Sequence, residues 1–169
     1  MEKKTIKQSS YKIYSIENDK YIRRDYAHYF QNPKYPEIQF SALYILLNDD
    51  KKQHYIGFSS NPTERLCTHK SKPKFKWSKA LVFEIDGDKY DEHLDATDAQ
   101  YLEYLSLKCV MLEGSWNGKG SDKVYIKSKQ KENMKKYFRE FVYPQTKEYA
   151  PYVFKNEVEV NRIIEDPTL

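Results

Sequence analysis

Apolar positions fall first into short blocks along the chain and later into a helical rhythm. The block "QFSALYILLN", residues 39–48, is aliphatic and aromatic and reads as a strand. The four charges of "DDKK" interrupt it, and "QHYIGFS", residues 53–59, resumes it, so the two runs predict an antiparallel hairpin. Gly57, near the end of the second run, marks a point where another group can come close to the backbone. Asn61, Pro62 and Glu64 then have the spacing of a helix start, with a cap, a first helical residue and a capping-box carboxylate. This predicts a helix over 62–70. "KALVFEID", residues 79–86, is a third strand. Leu102, Leu105, Cys109 and Leu112 recur at helical spacing and predict a longer helix over 96–112, with Gly114 as its C-cap. Further pieces are a short helix in "KYIRRDYAHYFQ" (20–31), a short strand in "KVYIKS" (123–128) and a helix in "KENMKKYFREFV" (131–142) that Pro144 ends. The last twenty residues read as peripheral.

The elements give an α+β fold. A small three-stranded antiparallel sheet in β-β-α-β-α order is flanked by helices. The organisation predicted is an N-terminal extension over 1–38, a core over 39–118 and a C-terminal helical extension over 119–169 packed on that core.

Composition narrows the picture. The chain has 169 residues, 39% of them hydrophobic and 32% charged, which fits one domain with appended segments. The net charge is +4, too small to identify a nucleic-acid partner by itself. Its distribution says more. Lys70, Lys72, Lys74, Lys76 and Lys79 crowd ten positions and are interleaved with Phe75 and Trp77. Lysines suit phosphate and aromatics suit stacking on bases, so this loop is a candidate nucleic-acid surface; the alternative is a solvated lysine loop, with Trp77 packed under the third strand. A second basic stretch holds Lys119, Lys123, Lys127, Lys129, Lys131, Lys135 and Lys136. Two cysteines, Cys67 and Cys109, make neither a disulfide framework nor a zinc site, and reduced thiols favour the cytosol. "MEKKTIKQSS" lacks the apolar core of a secretory signal, and the longest apolar run, "ALYILL", is too short to span a membrane. The sixteen tyrosines read mostly as half-buried rings with wet hydroxyls.

Candidate chemistry lies at the hairpin and the two helices. Tyr44 and Tyr55 sit on paired strands, near one another and on one face. Arg65 and His69 are four apart and share a helix face. Glu103 shares its helix face with Ala99, Ser106 and Val110, mostly small residues that leave room around the carboxylate. Taken singly, each of these residues fits an ordinary packing or surface role. Taken together and in order, "ALY" (42–44), "YIG" (55–57), "ERLCTH" (64–69) and "QYLEYL" (100–105) resemble the GIY-YIG endonuclease superfamily. Ala42 stands where the first signature has glycine. The resemblance implies a nuclease that hydrolyses phosphodiester bonds, DNA more than RNA, with Mg²⁺ or Mn²⁺ held by Glu103. It implies Tyr44 as general base, Tyr55 and His69 as groups that orient water or phosphate or share the proton transfer, Arg65 on the phosphate, and Asn117 as a further nucleic-acid contact. A binding module of the same fold with catalysis lost is the alternative.

Overall fold

A computed structural model describes residues 11–17, 20–24, 42–61, 65–66, 76–84, 96–117 and 131–169. The three expected strands are β3 (Ala42–Asn48), β4 (Gln53–Ser59) and β5 (Lys79–Glu84), and every pairing among them is antiparallel. Two earlier strands, β1 (Tyr11–Glu17) and β2 (Lys20–Arg24), join the same sheet through β5, giving the order β2-β1-β5-β3-β4. Lys20–Arg24 is therefore strand where the sequence pattern predicts helix, and the rest of that predicted helix lies outside the described residues. A β-branched and aromatic "KYI" suits a strand as well as a helix, and pairing with β1 decides it.

Strand β3 is buried at each of its first six positions, because both faces of the sheet are covered. Leu43, Ile45, Leu47, Ile56, Leu81 and Phe83 point to one face and join the main core. Ala42, Tyr44, Leu46, Ala80 and Val82 point to the other and join Leu66 and Trp77, with Tyr55 packed beside them.

Helices cover the first face. Helix α1 (Ala96–Lys108) brings Leu102, Leu105 and Ala99 into the core. It ends four residues before the predicted boundary, and Leu112 is 85% exposed. The chain turns at Cys109, whose N–H bonds the Ser106 carbonyl, and then runs as a ribbon between two partners. On one side Met111 N–H bonds Val153 O and Lys155 N–H bonds Cys109 O; on the other, His54 N–H bonds Gly114 O and Trp116 N–H bonds His54 O. Gly114 is thus no helix cap. At φ +81 it lies against the Lys52 carbonyl, where a side chain has no room.

Residues Lys131–Tyr137 (α2), a π-helical turn Phe138–Val142, and Tyr143–Tyr149 (α3) follow without a break. Pro144 does not end the helix as expected. It falls in the first turn of α3, directly after the wider π turn. There the missing N–H and the ring clash with a carbonyl four residues back matter least. The last twenty residues are not peripheral. Ala150, Val153, Phe154, Val160 and Ile164 are buried in the main core, the last two from helix α4 (Glu157–Ile164). Asn156 caps that helix, accepting from Glu159 N–H at 2.9 Å. "KVYIKS" and most of the predicted helix over 62–70 lie outside the described residues; Arg65 and Leu66 are helical, with Arg65 N–H bonded to Asn61 O as a helix start requires. No helix among the described residues is long and apolar enough to cross a membrane.

Candidate active site

The strand register sets the site. Tyr44 lies directly across from Gly57, and Tyr55 lies one side-chain step along β4 on the same face. The two rings stack with centroids 6.4 Å apart and planes 29° apart. Gly57 is what permits this. A Cβ there would overlap Cζ and Oη of Tyr44 and come within 2.8 Å of its Cε2. The glycine of "YIG" is therefore a seat for the ring across the strand.

The two phenols differ. Tyr44 is 2% exposed, while Tyr55 is half-buried. The Tyr44 and Tyr55 hydroxyls are coupled by a hydrogen bond. Burial pushes both phenols above their usual range. The Glu103 carboxylate adds to the rise in each case, and the Arg65 guanidinium works against it. Arg65 is exposed, one turn into the helix after Asn61, and Leu66 beside it anchors that turn in the tyrosine-side cluster.

Glu103 reaches the same place from the opposite face of the sheet, because strand β4 is an edge. Its neighbours on α1, Ala99 and Ser106, are fully buried, and such small side chains let the helix come close to the strand. Burial raises the Glu103 carboxyl above its usual range, while the Phe58 N–H and Arg65 oppose the rise. Phe58 N–H is the third outward-facing donor of β4. The other two, on His54 and Ile56, go to Gly114 O and to the Asn117 side chain. Asn117 pairs with Ile56 as a strand would, its Oδ1 accepting from Ile56 N–H at 2.9 Å and its Nδ2 donating to Ile56 O at 2.7 Å.

Of the residues singled out by sequence, Tyr44, Tyr55, Arg65 and Glu103 come together. Asn117 serves the strand edge beside them. Trp77 is 7% exposed and packs in the Tyr44 cluster, so its ring faces the protein. Lys79 forms an ion pair with Asp49 at 2.8 Å, and Lys76 is exposed. His69, Lys70, Lys72 and Lys74 lie outside the described residues. In the second basic stretch, Lys135 is buried and pairs with Glu132 at 3.7 Å, while Lys131 lies over the Tyr101 ring. Sequence reasoning missed the role of the Phe58 N–H, because a backbone donor carries no residue signature.

As a metal site, the cluster offers one half-buried carboxylate, with two phenol oxygens beside it. Among the described residues no group of three or more His, Cys, Asp or Glu converges. An all-oxygen setting with a single carboxylate fits a Mg²⁺-like ion, which keeps several of its waters.

Residues 40–110 match the family model of the GIY-YIG catalytic domain. No curated protein and no solved structure matches the chain.

Proposed function

We propose that this chain is a divalent-metal-dependent endonuclease acting on DNA, a reading supported by the match of residues 40–110 to the GIY-YIG catalytic domain. The observation that carries the reading is the coupling of Tyr44, Tyr55, Arg65 and Glu103 around one hydroxyl pair.

Hydrolysis of a phosphodiester needs a water relieved of its proton, a cation on the phosphoryl oxygens and a stabilised leaving oxygen. Arg65 is exposed and always charged, so its planar fork is available to the phosphate. Tyr55 is the more accessible phenol, and a hydrogen bond from Tyr44 would stabilise charge on its oxygen. Tyr55 Oη would take the water proton as the phenolate, its own proton having first left to solvent, with the Tyr44 hydroxyl behind it holding the oxygen in place. This divides between two tyrosines the base role that the resemblance gives to Tyr44. Both phenols start above their usual range, and the Glu103 charge is one cause. Glu103 would hold the divalent ion. The chemistry such an ion supplies is polarisation of the phosphoryl group and neutralisation of nearby negative charge. Support for a DNA substrate comes from the resemblance; the balance of 29 basic against 25 acidic residues suits any polyanion, DNA or RNA.

The test is incubation with supercoiled plasmid, single-stranded DNA and RNA, in Mg²⁺, Mn²⁺ or chelator. The plasmid should be nicked or linearised with the ion and left intact with chelator. Glu103→Gln should fold, bind DNA and fail to cleave at ordinary Mg²⁺. Binding without cleavage by the native protein under any ion would make the chain a binding module. Cleavage of RNA alone would replace the substrate, and full cleavage in chelator would remove the metal.

A further inference from the structure

The β3–β4 turn lies beyond the four residues of the site, and its chemistry is unspent. Lys51 and Lys52 are exposed there. Lys52 has φ 53, in the left-handed region where glycine or asparagine fits more cheaply than lysine. Asn48 ties the turn to a second lysine-bearing segment. Its Oδ1 accepts from Lys51 N–H at 3.1 Å, and its Nδ2 donates to the Lys76 carbonyl at 2.9 Å. Ser78 N–H bonds Leu47 O at 2.9 Å, which fixes the same segment along the strand. Lys76 precedes Trp77, which packs in the Tyr44 cluster, so the exposed Lys76 stands beside the tyrosine face.

Acids nearby offset part of this charge: Glu113 and Glu159 line the same depression as Lys51 and Lys52, with Lys147 among them. Asp49 is engaged twice, by Lys79 at 2.8 Å and by the Tyr152 hydroxyl at 2.7 Å. Asp50 is exposed and offsets one of the three remaining ammonium groups.

We propose that Lys51, Lys52 and Lys76, registered by Asn48, form a ridge that binds the phosphate backbone of the nucleic-acid substrate to one side of the site. This rests on the nuclease reading and extends it. Lys52 precedes Tyr55 by three residues, about 10 Å at roughly 3.4 Å per strand residue. A nucleic-acid strand advances about 3.4 Å per nucleotide along its axis, so the ridge meets phosphates about three nucleotides from the scissile one.

The experiment is equilibrium binding of a DNA duplex in chelator, so that nothing is cut, over a range of salt concentrations. The variants are Lys52→Gly alone and Lys51→Ala, Lys52→Gly and Lys76→Ala combined. The triple variant should lower the slope of log K against log salt by up to about 2.7, at about 0.9 for each phosphate no longer neutralised. Lys52→Gly alone should lower it by about 0.9 while leaving Tm unchanged or higher, since glycine takes the left-handed conformation freely. Asp50→Asn should tighten binding. A native-like slope in the triple variant, in a protein that binds and cleaves normally, overturns the ridge and leaves the nuclease reading standing. A native protein that binds no nucleic acid at any salt overturns both.

Discussion

The Tyr44 ring occupies the space that a side chain at position 57 would need, and this ties one residue of the candidate site to the absence of another side chain. Gly57→Ala should therefore displace Tyr44 and break its hydroxyl bond to Tyr55. Overpacking of this kind costs about 1–3 kcal/mol, so a lower Tm should accompany a loss of cleavage. Native Tm and native activity together in that variant would show that the ring has another place to go. Arg65 makes the complementary case. It is exposed, so Arg65→Ala should leave the protein within about 0.5 kcal/mol of native stability. Cleavage should fall roughly 10²–10³-fold, the loss typical of one transition-state donor, and Lys should restore it only in part. Thermal melts and single-turnover rates on plasmid measure the two effects, and full activity in Arg65→Ala removes the residue from the site. The spacing of Tyr44, Tyr55, Arg65 and Glu103 is legible in the chain because each stands at a fixed step of a strand or helix. The duties of Asn117 and Trp77 are not, because a sequence shows neither which backbone groups an edge leaves orphaned nor which side of a loop faces inward.

Among elements, the strands are legible and the helix ends are not. The hairpin is specified by local alternation and a charged turn, so β3 and β4 fall where the pattern puts them. The apolar rhythm of α1 continues through Leu112, but the helix stops at Lys108 because residues 109–111 pair with residues 153–155 instead. Those partners lie more than forty positions away, beyond any local rule. The same pairing explains why the C-terminal segment is core. Phe154 is 1% exposed and meets Phe138 edge-on, with centroids 5.3 Å apart and planes at 83°. Phe154→Ala should cost about 3–5 kcal/mol, the range for a large buried aromatic, read as a shift in the urea midpoint. A loss below about 1 kcal/mol would mean that the segment is dispensable. Cys109, buried in this packing with its thiol pushed up to about 12, is inert rather than reactive.

At the scale of the molecule, the ribbon after α1 joins the sheet to the C-terminal helices, and His54 sits at that junction. It is fully buried, both ring nitrogens lack a hydrogen-bond partner of good geometry, and its ring lies 6.4 Å from that of Tyr152. Burial lowers its pKa from the ordinary 6.5, with the carbonyls of Glu113 and Met111 opposing. The neutral form is thus the folded form, and the unfolded chain binds the proton more readily. Its contribution to stability is complete above pH 6.5 and is lost as pH falls below that value toward the lower folded pKa. Thermal melts from pH 8 to pH 5 should show a steeper acid loss for the native protein than for His54→Leu. Parallel curves would mean that His54 finds a partner when charged. The edge of β4 has one more consequence. Its outward N–H groups at His54, Ile56 and Phe58 are answered by a loop carbonyl, an amide side chain and a carboxylate, not by another strand. An edge completed by side chains is also a guard against strand addition by a second chain. Asn117→Leu would leave the Ile56 pair of groups open beside a flat strand. The variant should self-associate with rising concentration, visible by sedimentation or light scattering, where the native chain does so less. The residues that shape the site would then also keep one copy of the protein from adding itself to another.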